Sequence, residues 1–206
     1  MKRSIFLVLA ASHLMGVCLA AGSASGDLRP ESFSVGGFLL NTTTLAEVQE
    51  RLGAARIART GPQDEADVSV CYVHRTGRKT SYLILESGPM GGFSRITGFR
   101  LSSIRPQKNC SQTAEDIAAM ATGTGARLGQ SVPSFKQAFP VTFQQREATL
   151  AFEGVTRRNA TPEEREKLRL RWPNETQDWF DVTTVIRARF LKDSLVDLYV
   201  SRIESF

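Results

Sequence analysis

The C-terminal end of the chain constrains its fold most. From residue 179 to 190, Val182, Thr184, Ile186, Ala188 and Phe190 alternate with polar neighbours. Lys192-Asp193 then supplies a turn, and Leu198 and Val200 continue one face of a second run over 195–204. A period of two places one set of side chains on one side of the backbone and the other set opposite. Two such runs joined by a tight turn predict an antiparallel pair with one buried face, whose register cannot slip without exposing its apolar set.

The same reading extends upstream. Strand-like runs occur near 55–59, 68–75, 80–86 and 93–103, with Thr76-Gly77 turning between the second and third and Gly88-Pro89-Met90-Gly91-Gly92 forming a looser loop. Ahead of them, Thr44-Leu45-Ala46-Glu47 is a capping box, and Leu45, Val48 and Leu52 repeat at helical spacing before Gly53. The plan recurs: Leu128-Gly129-Gln130-Ser131 leads into Phe135 and Phe139, Pro140 closes that helix, and strands follow at 141–145, 148–154, 179–190 and 195–204. Thr161-Pro162-Glu163-Glu164 starts an inserted helix near 160–172, with a Thr cap, Pro at its first position and acids at the positive end of the dipole. Leu45, Val48, Leu52, Phe135, Phe139, Ile186, Phe190, Leu198 and Val200 are the expected core.

The segments Leu40-Asn41-Thr42-Thr43-Thr44 to Leu52-Gly53 and Leu128-Gly129-Gln130-Ser131 to Phe139-Pro140 carry a resemblance. A short helix followed by four antiparallel strands, twice in tandem, resembles the β-lactamase-inhibitor-protein architecture and its single-repeat relative, the small lipoprotein of the outer-membrane barrel-assembly machinery. The resemblance implies an α+β fold of two tandem repeats, each a short helix packed on an antiparallel sheet of about four strands. It carries no site residue. The expected organisation is a signal peptide over 1–20, a flexible lead-in over 21–34, a first repeat over 35–112, and a second over 113–206 with the helical insertion.

The leader sets the compartment. Lys2 and Arg3 precede an apolar run from Ile5 to Leu19, and small residues cluster from Ala20 to Ala24. This is the anatomy of a secretory signal peptide, with cleavage near Ala20 and alternatives at Gly22 and Ala24. The expected location is the periplasm or the exterior. No other apolar run reaches membrane length, so the processed chain is expected to lack a transmembrane segment. Cleavage removes Cys18 and leaves Cys71 and Cys110, an even count that reads as a disulfide in an exported protein. A loop of roughly 40 residues closed in this way is worth on the order of 4 kcal/mol in the chain-entropy model.

Composition and motifs narrow the chemistry. The formal net charge of +5 falls further when Lys2 and Arg3 leave with the leader, and the basic residues are dispersed, which argues against nucleic acid. His74 is the single histidine after processing, and no carboxylate cluster has ligand spacing, so no metal and no cofactor is expected. There is no Gly-x-Ser-x-Gly elbow. Gly123-Thr124-Gly125-Ala126-Arg127-Leu128-Gly129 is one residue too long for a dinucleotide fingerprint and reads as a turn. All four asparagines, Asn41, Asn109, Asn159 and Asn174, stand in Asn-x-Ser/Thr sequons, and turns and caps favour asparagine and threonine at such places.

The most site-like feature is aromatic: Trp172, Trp179 and Phe180 flank a Pro-Asn-Glu-Thr-Gln loop, and aromatics beside polar loops are favoured at protein interfaces. The sequence thus predicts a non-enzymatic exported module that binds another exported or envelope protein, as an assembly factor or an inhibitor. The alternative is a periplasmic hydrolase whose carboxylates converge only in three dimensions.

Overall fold

The computed structural model describes residues 28–62, 66–107, 109–171, 173–174 and 176–206. The leader and Trp172 lie outside the described residues. Order begins earlier than the expected start near Val35. Pro30–Phe33 forms a 3-10 turn, with Phe33 buried against the core, followed by a small hairpin of β1 (Ser34–Val35) and β2 (Phe38–Leu39). The part of the proposed lead-in over 28–34 is therefore packed, because its apolar residues Leu28 and Phe33 find a place on the core.

Helix α1 (Leu45–Leu52) starts where the capping box placed it. Thr44 Oγ1 accepts from the Glu47 amide at 3.2 Å, and Glu47 Oε2 accepts from the Thr44 amide at 2.7 Å. These bonds satisfy donors that a helix start leaves open. They also hold the Glu47 carboxyl below its ordinary pKa, the Thr44 backbone bond being the larger cause. Leu45, Val48 and Leu52 are all buried. Four strands follow: β3 (Ala58–Thr60), β4 (Asp67–Thr76), β5 (Lys79–Ser87) and β6 (Gly98–Ser102). The run expected over 93–103 is shorter than its composition suggested. Residues 94–96 bond back to the approach to α1 instead, through Leu45 N–H to Ser94 O, Ile96 N–H to Thr43 O and Asn41 N–H to Ile96 O. The short strand β7 (Ser111–Gln112) then pairs with β4 in parallel.

The rest of the chain adds two helices and four strands. Helix α2 (Val132–Ala138) buries Phe135, and the buried Phe139 ends it. Strands β8 (Gln144–Arg146) and β9 (Thr149–Asn159), helix α3 (Pro162–Arg171), and strands β10 (Trp179–Leu191) and β11 (Ser194–Ser205) complete the chain. The long strands form one sheet in the order β3-β4-β5-β6-β11-β10-β9-β8, with β7 against β4. The halves meet through β6 and β11, antiparallel, with Leu198 opposite Leu101 and Val200 opposite Phe99. The fold is therefore mixed α+β on a mostly antiparallel nine-stranded sheet.

A single apolar cluster lies on one side of this sheet. It joins Leu45, Val48 and Leu52 of α1 and Phe135 of α2 to Val70, Tyr72, Leu83, Leu85, Phe99, Leu101, Ile186, Ala188, Leu198 and Val200. All nine residues expected in the core are buried. Cys71 and Cys110 form the disulfide that the cysteine count predicted. No helix among the described residues is long and apolar enough to cross a membrane.

Candidate binding face

With α1 and α2 on one side, strand alternation determines what stands on the other, which is open to solvent along β9 and β10 and buried at Cys71, Val73, Ile84, Asp197 and Ser201. On β10, Ile186 and Ala188 point to the core, so Trp179, Asp181, Thr183, Val185, Arg187 and Arg189 point outward. The cross-strand register adds Ala151, Glu153, Val155 and Arg157 from β9 and Asp197, Tyr199, Ser201 and Ile203 from β11. Beyond them lie Gly98 and Arg100 on β6 and Glu86 and Ile84 on β5. Val155 is 63% exposed and Ile203 38%, with Thr183 between them in the same cross-strand row.

The centre of the face is built around Arg100 and Asp197. The guanidinium donates to both carboxylate oxygens at 2.8 Å, a forked geometry that fixes both side chains. The hydrogen bond to Asp197 raises the Arg100 pKa. The Arg100 side chain remains 49% exposed, while that of Asp197 is 10% exposed. Tyr199 stands beside them in register with Arg100, and burial pushes its hydroxyl pKa up. A Cβ at Gly98 would stand 3.6 Å from the Tyr199 hydroxyl, an ordinary contact, and 3.3 Å from Ser201 Cβ, a tight one. Arg187 and Arg189, both exposed, complete a shallow depression of about 390 Å³ lined also by Glu86 and Thr149.

Towards the α3 end of the sheet, the Arg157 guanidinium stands 5.2 Å from the centre of the Trp179 ring and donates to Asp181 at 3.0 Å. Gln177 Nε2 donates to the Trp179 carbonyl at 2.9 Å. Phe180 is on the opposite side. It packs on Phe206 at 5.6 Å and under the Arg158 guanidinium at 4.4 Å. The two neighbouring aromatics therefore do not share a surface, since consecutive residues of a strand point to opposite faces. Trp179 belongs to the open face. Phe180 belongs to a polar junction in which Arg158 bonds both Glu164 of α3 and Glu204 of β11. That junction takes the Glu164 carboxyl down to about 2, chiefly through the Arg158 bond.

The sequence reading did not single out Tyr199, Arg100, Arg187, Arg189, Val155 and Ile203. The alternation that located the core on β10 and β11 also assigns the β10 and β11 members of this set to the outer face. The contribution of β9 and β6 depended on knowing which strands were neighbours.

Other sequence features resolve into structure. His74 Nδ1 lies 3.3 Å from Asp116 Oδ1, and Asp116 in turn caps the 3-10 turn Ile117–Ala119 through the Ala118 amide. The glycine-rich stretch is a packing device, because a Cβ at Gly123 would stand 1.7 Å from the Glu31 carbonyl oxygen. Among the described residues, no group of three or more His, Cys, Asp or Glu side chains could hold a metal ion. The shifted carboxyls Glu47, Glu115 and Glu164 all move down, each held as a carboxylate chiefly by a hydrogen-bond donor. A general acid needs the opposite shift. The arrangement on the open face offers forked guanidinium donors, an aromatic ring with a cation over it and exposed aliphatic side chains, which are the materials of recognition.

Comparison of the chain with protein-family models, with curated proteins and with solved structures finds no match.

Proposed function

We propose that this chain is an exported, non-enzymatic protein-binding module, acting in the periplasm or outside the cell after cleavage near Ala20. Its partner is another exported or envelope protein, which it would serve as an assembly factor or restrain as an inhibitor. The observation carrying this reading is the composition of the open face. Trp179, Tyr199 and four arginines stand with Val155 and Ile203 on a broad surface, opposite the face that α1 and α2 cover. Tryptophan, tyrosine and arginine are the residue types that dominate binding energy at protein interfaces. The proposal includes tandem kinship of the two halves. After α1 come strands β3 to β6 and the short β7, after α2 come β8 to β11 with α3 inserted, and β6 pairs with β11, so the face would be composite, with β6 and β11 at its centre.

Affinity capture from the native envelope tests the reading. Wild type should retain a partner that Tyr199→Ala and Trp179→Ala lose, while Phe180→Ala, on the opposite side, retains it. Thermal melts of each variant separate lost binding from lost folding. Retention by both face variants would refute the assignment, as would turnover of a cell-wall or ester substrate by purified protein that captures nothing.

A further inference from the structure

Strand β8 is too short to cover its neighbour. It pairs with β9 only from Thr149 to Ala151, whereas β9 continues to Asn159. Which backbone groups are left outside follows from the bonds at its two ends. The Phe190 amide donates to Ala148 O, and the Ala160 amide donates to Asp178 O, so even-numbered residues face β10. The β9–β10 register runs without a shift between these ends. In an antiparallel ladder a residue directs both its N–H and its C=O to the same side. Glu153, Val155 and Arg157 therefore turn their N–H and C=O groups outward, and among the described residues no backbone bond receives them. Residues 152–158 contain no proline or bulge, two of the devices that blunt exposed edges.

We infer that this bare edge is a self-association site, where a second copy of the chain adds its own β9 antiparallel about a two-fold axis at Val155. The side chains select this partner. In that register, Glu153 stands opposite Arg157 of the second copy, and its own Arg157 opposite the second Glu153. Arg157 already bonds Asp181 on β10 and has further donors, so the row would read Asp181, Arg157, Glu153 of the second copy, with alternating charge over three strands. Val155, 63% exposed in the single chain, meets its own copy at the axis. Shifting the axis to residue 157 sets arginine against arginine. Shifting it to 154 runs the incoming strand into Gln144, which occupies the position opposite Ala151. The Val155 register uses the bare stretch 152–158 of both copies and forms about six backbone hydrogen bonds.

A cleft of about 340 Å³ borders the edge on the core side of the sheet, lined by Phe152 to Arg158, by Val182 and Thr184 of β10 and Arg202 of β11, and by Leu28, Pro30 and Phe33, and it gives room to side chains that an added strand turns to that side. The small residues Gly154 and Thr156 stand on that side. Such a contact is isologous and closes at two copies. It would also join two open faces side by side into one doubled surface. This inference rests on the strand edge and is independent of what the open face binds.

Sedimentation of the purified chain across the micromolar range tests it. Wild type should show a monomer–dimer equilibrium. Glu153→Arg alone and Arg157→Glu alone should each weaken self-association at least tenfold, since each sets like charges opposite one another twice. Mixing the two variants should restore dimer as a heterodimer, because each Arg then meets a Glu again. Restoration also excludes misfolding as the cause of the single-variant loss. Val155→Pro, which removes an outward N–H that β10 does not use, should leave a folded monomer. A wild type monomeric throughout, single variants that dimerise like wild type, or a mixture that stays monomeric would overturn the inference. So would a monomeric wild type whose β9 edge instead accepts a strand from a different protein.

Discussion

The two edges of the sheet are finished in opposite ways. At the first, β3 covers β4 along Asp67–Ser69, β7 covers it at Tyr72 and Val73, and between them Cys71 is bonded to Cys110. At the second, β8 covers three residues of β9 and leaves the rest bare. The core beneath is common to both halves, so burial does not account for the difference. It lies in what the chain does after the strand: the first half returns a covalently tied segment to its edge, and the second departs into α3. An edge strand left with free amides is a liability in a monomer and an asset in an assembly.

The largest expected effect tests whether the edges belong to one cooperative unit. Phe135 is fully buried, and its ring stands 5.3 Å from Phe139, 5.4 Å from Phe143 and 5.6 Å from Phe190. Phe135→Ala should cost about 3–5 kcal/mol. Because the core is one cluster, amides of β4 and β5 should lose exchange protection together with those of β9 and β10. If protection falls in the second half alone, the halves are separate folding units and the edges have independent histories.

The next effect opens the closed edge. Removing the disulfide as Cys71→Ala with Cys110→Ala should destabilise the chain by about 2–4 kcal/mol. Faster exchange should appear first at β3, β7 and the outer side of β4, with β9 to β11 protected. Thiol counting on the denatured, unreduced chain should find no free thiol at either position.

Much of this was readable from residues. Strands β10 and β11 announced themselves through period-two alternation and a two-residue turn, β4 and β5 as strand-like runs on either side of a turn, and α1 through a capping box that forms as written. The disulfide followed from counting cysteines. Edges were not readable, because which strand lies outermost depends on β6 meeting β11 across the molecule, and no local pattern encodes that pairing. The separation of Trp179 from Phe180 was within reach, since adjacent strand residues must part. Grouping them by proximity in sequence ignored the same rule that located Ile186 and Phe190 in the core.

A smaller effect compares how the halves begin. Thr44 caps α1 through its side chain, whereas Ser131, in the matching place before α2, makes no such bond. Thr44→Ala should therefore cost about 1 kcal/mol and Ser131→Ala a few tenths at most, read from denaturant midpoints. Equal losses would mean that the two helices start by the same device.

The smallest global effect concerns the helix that replaces a covering strand at the bare edge. Helix α3 is held by polar contacts: Arg158 grips Glu164, Thr161 and Glu164 form a second capping box, and Arg165 Nε donates to Ala160 O at 3.0 Å. Leu168 is only half-buried and Leu170 is 78% exposed, so little apolar area supports the helix. The Glu164 carboxyl is taken from an ordinary 4.5 down to about 2, so its folded form prefers the charged state. The stabilisation it gives is complete above pH 4.5 and fades as pH falls towards 2, when the unfolded carboxyl, protonated first, no longer disfavours unfolding. Exchange at α3 amides, corrected for intrinsic pH dependence, should thus rise relative to β10 and β11 as the solution is acidified through that window. Glu164→Gln should show the raised α3 exchange already at neutral pH and lose most of the pH response, with the global midpoint almost unmoved because a solvated helix adds little to the core. If α3 in Glu164→Gln stays as protected as in wild type, its attachment does not run through Arg158, and the end of β9 is held by contacts other than this ion pair.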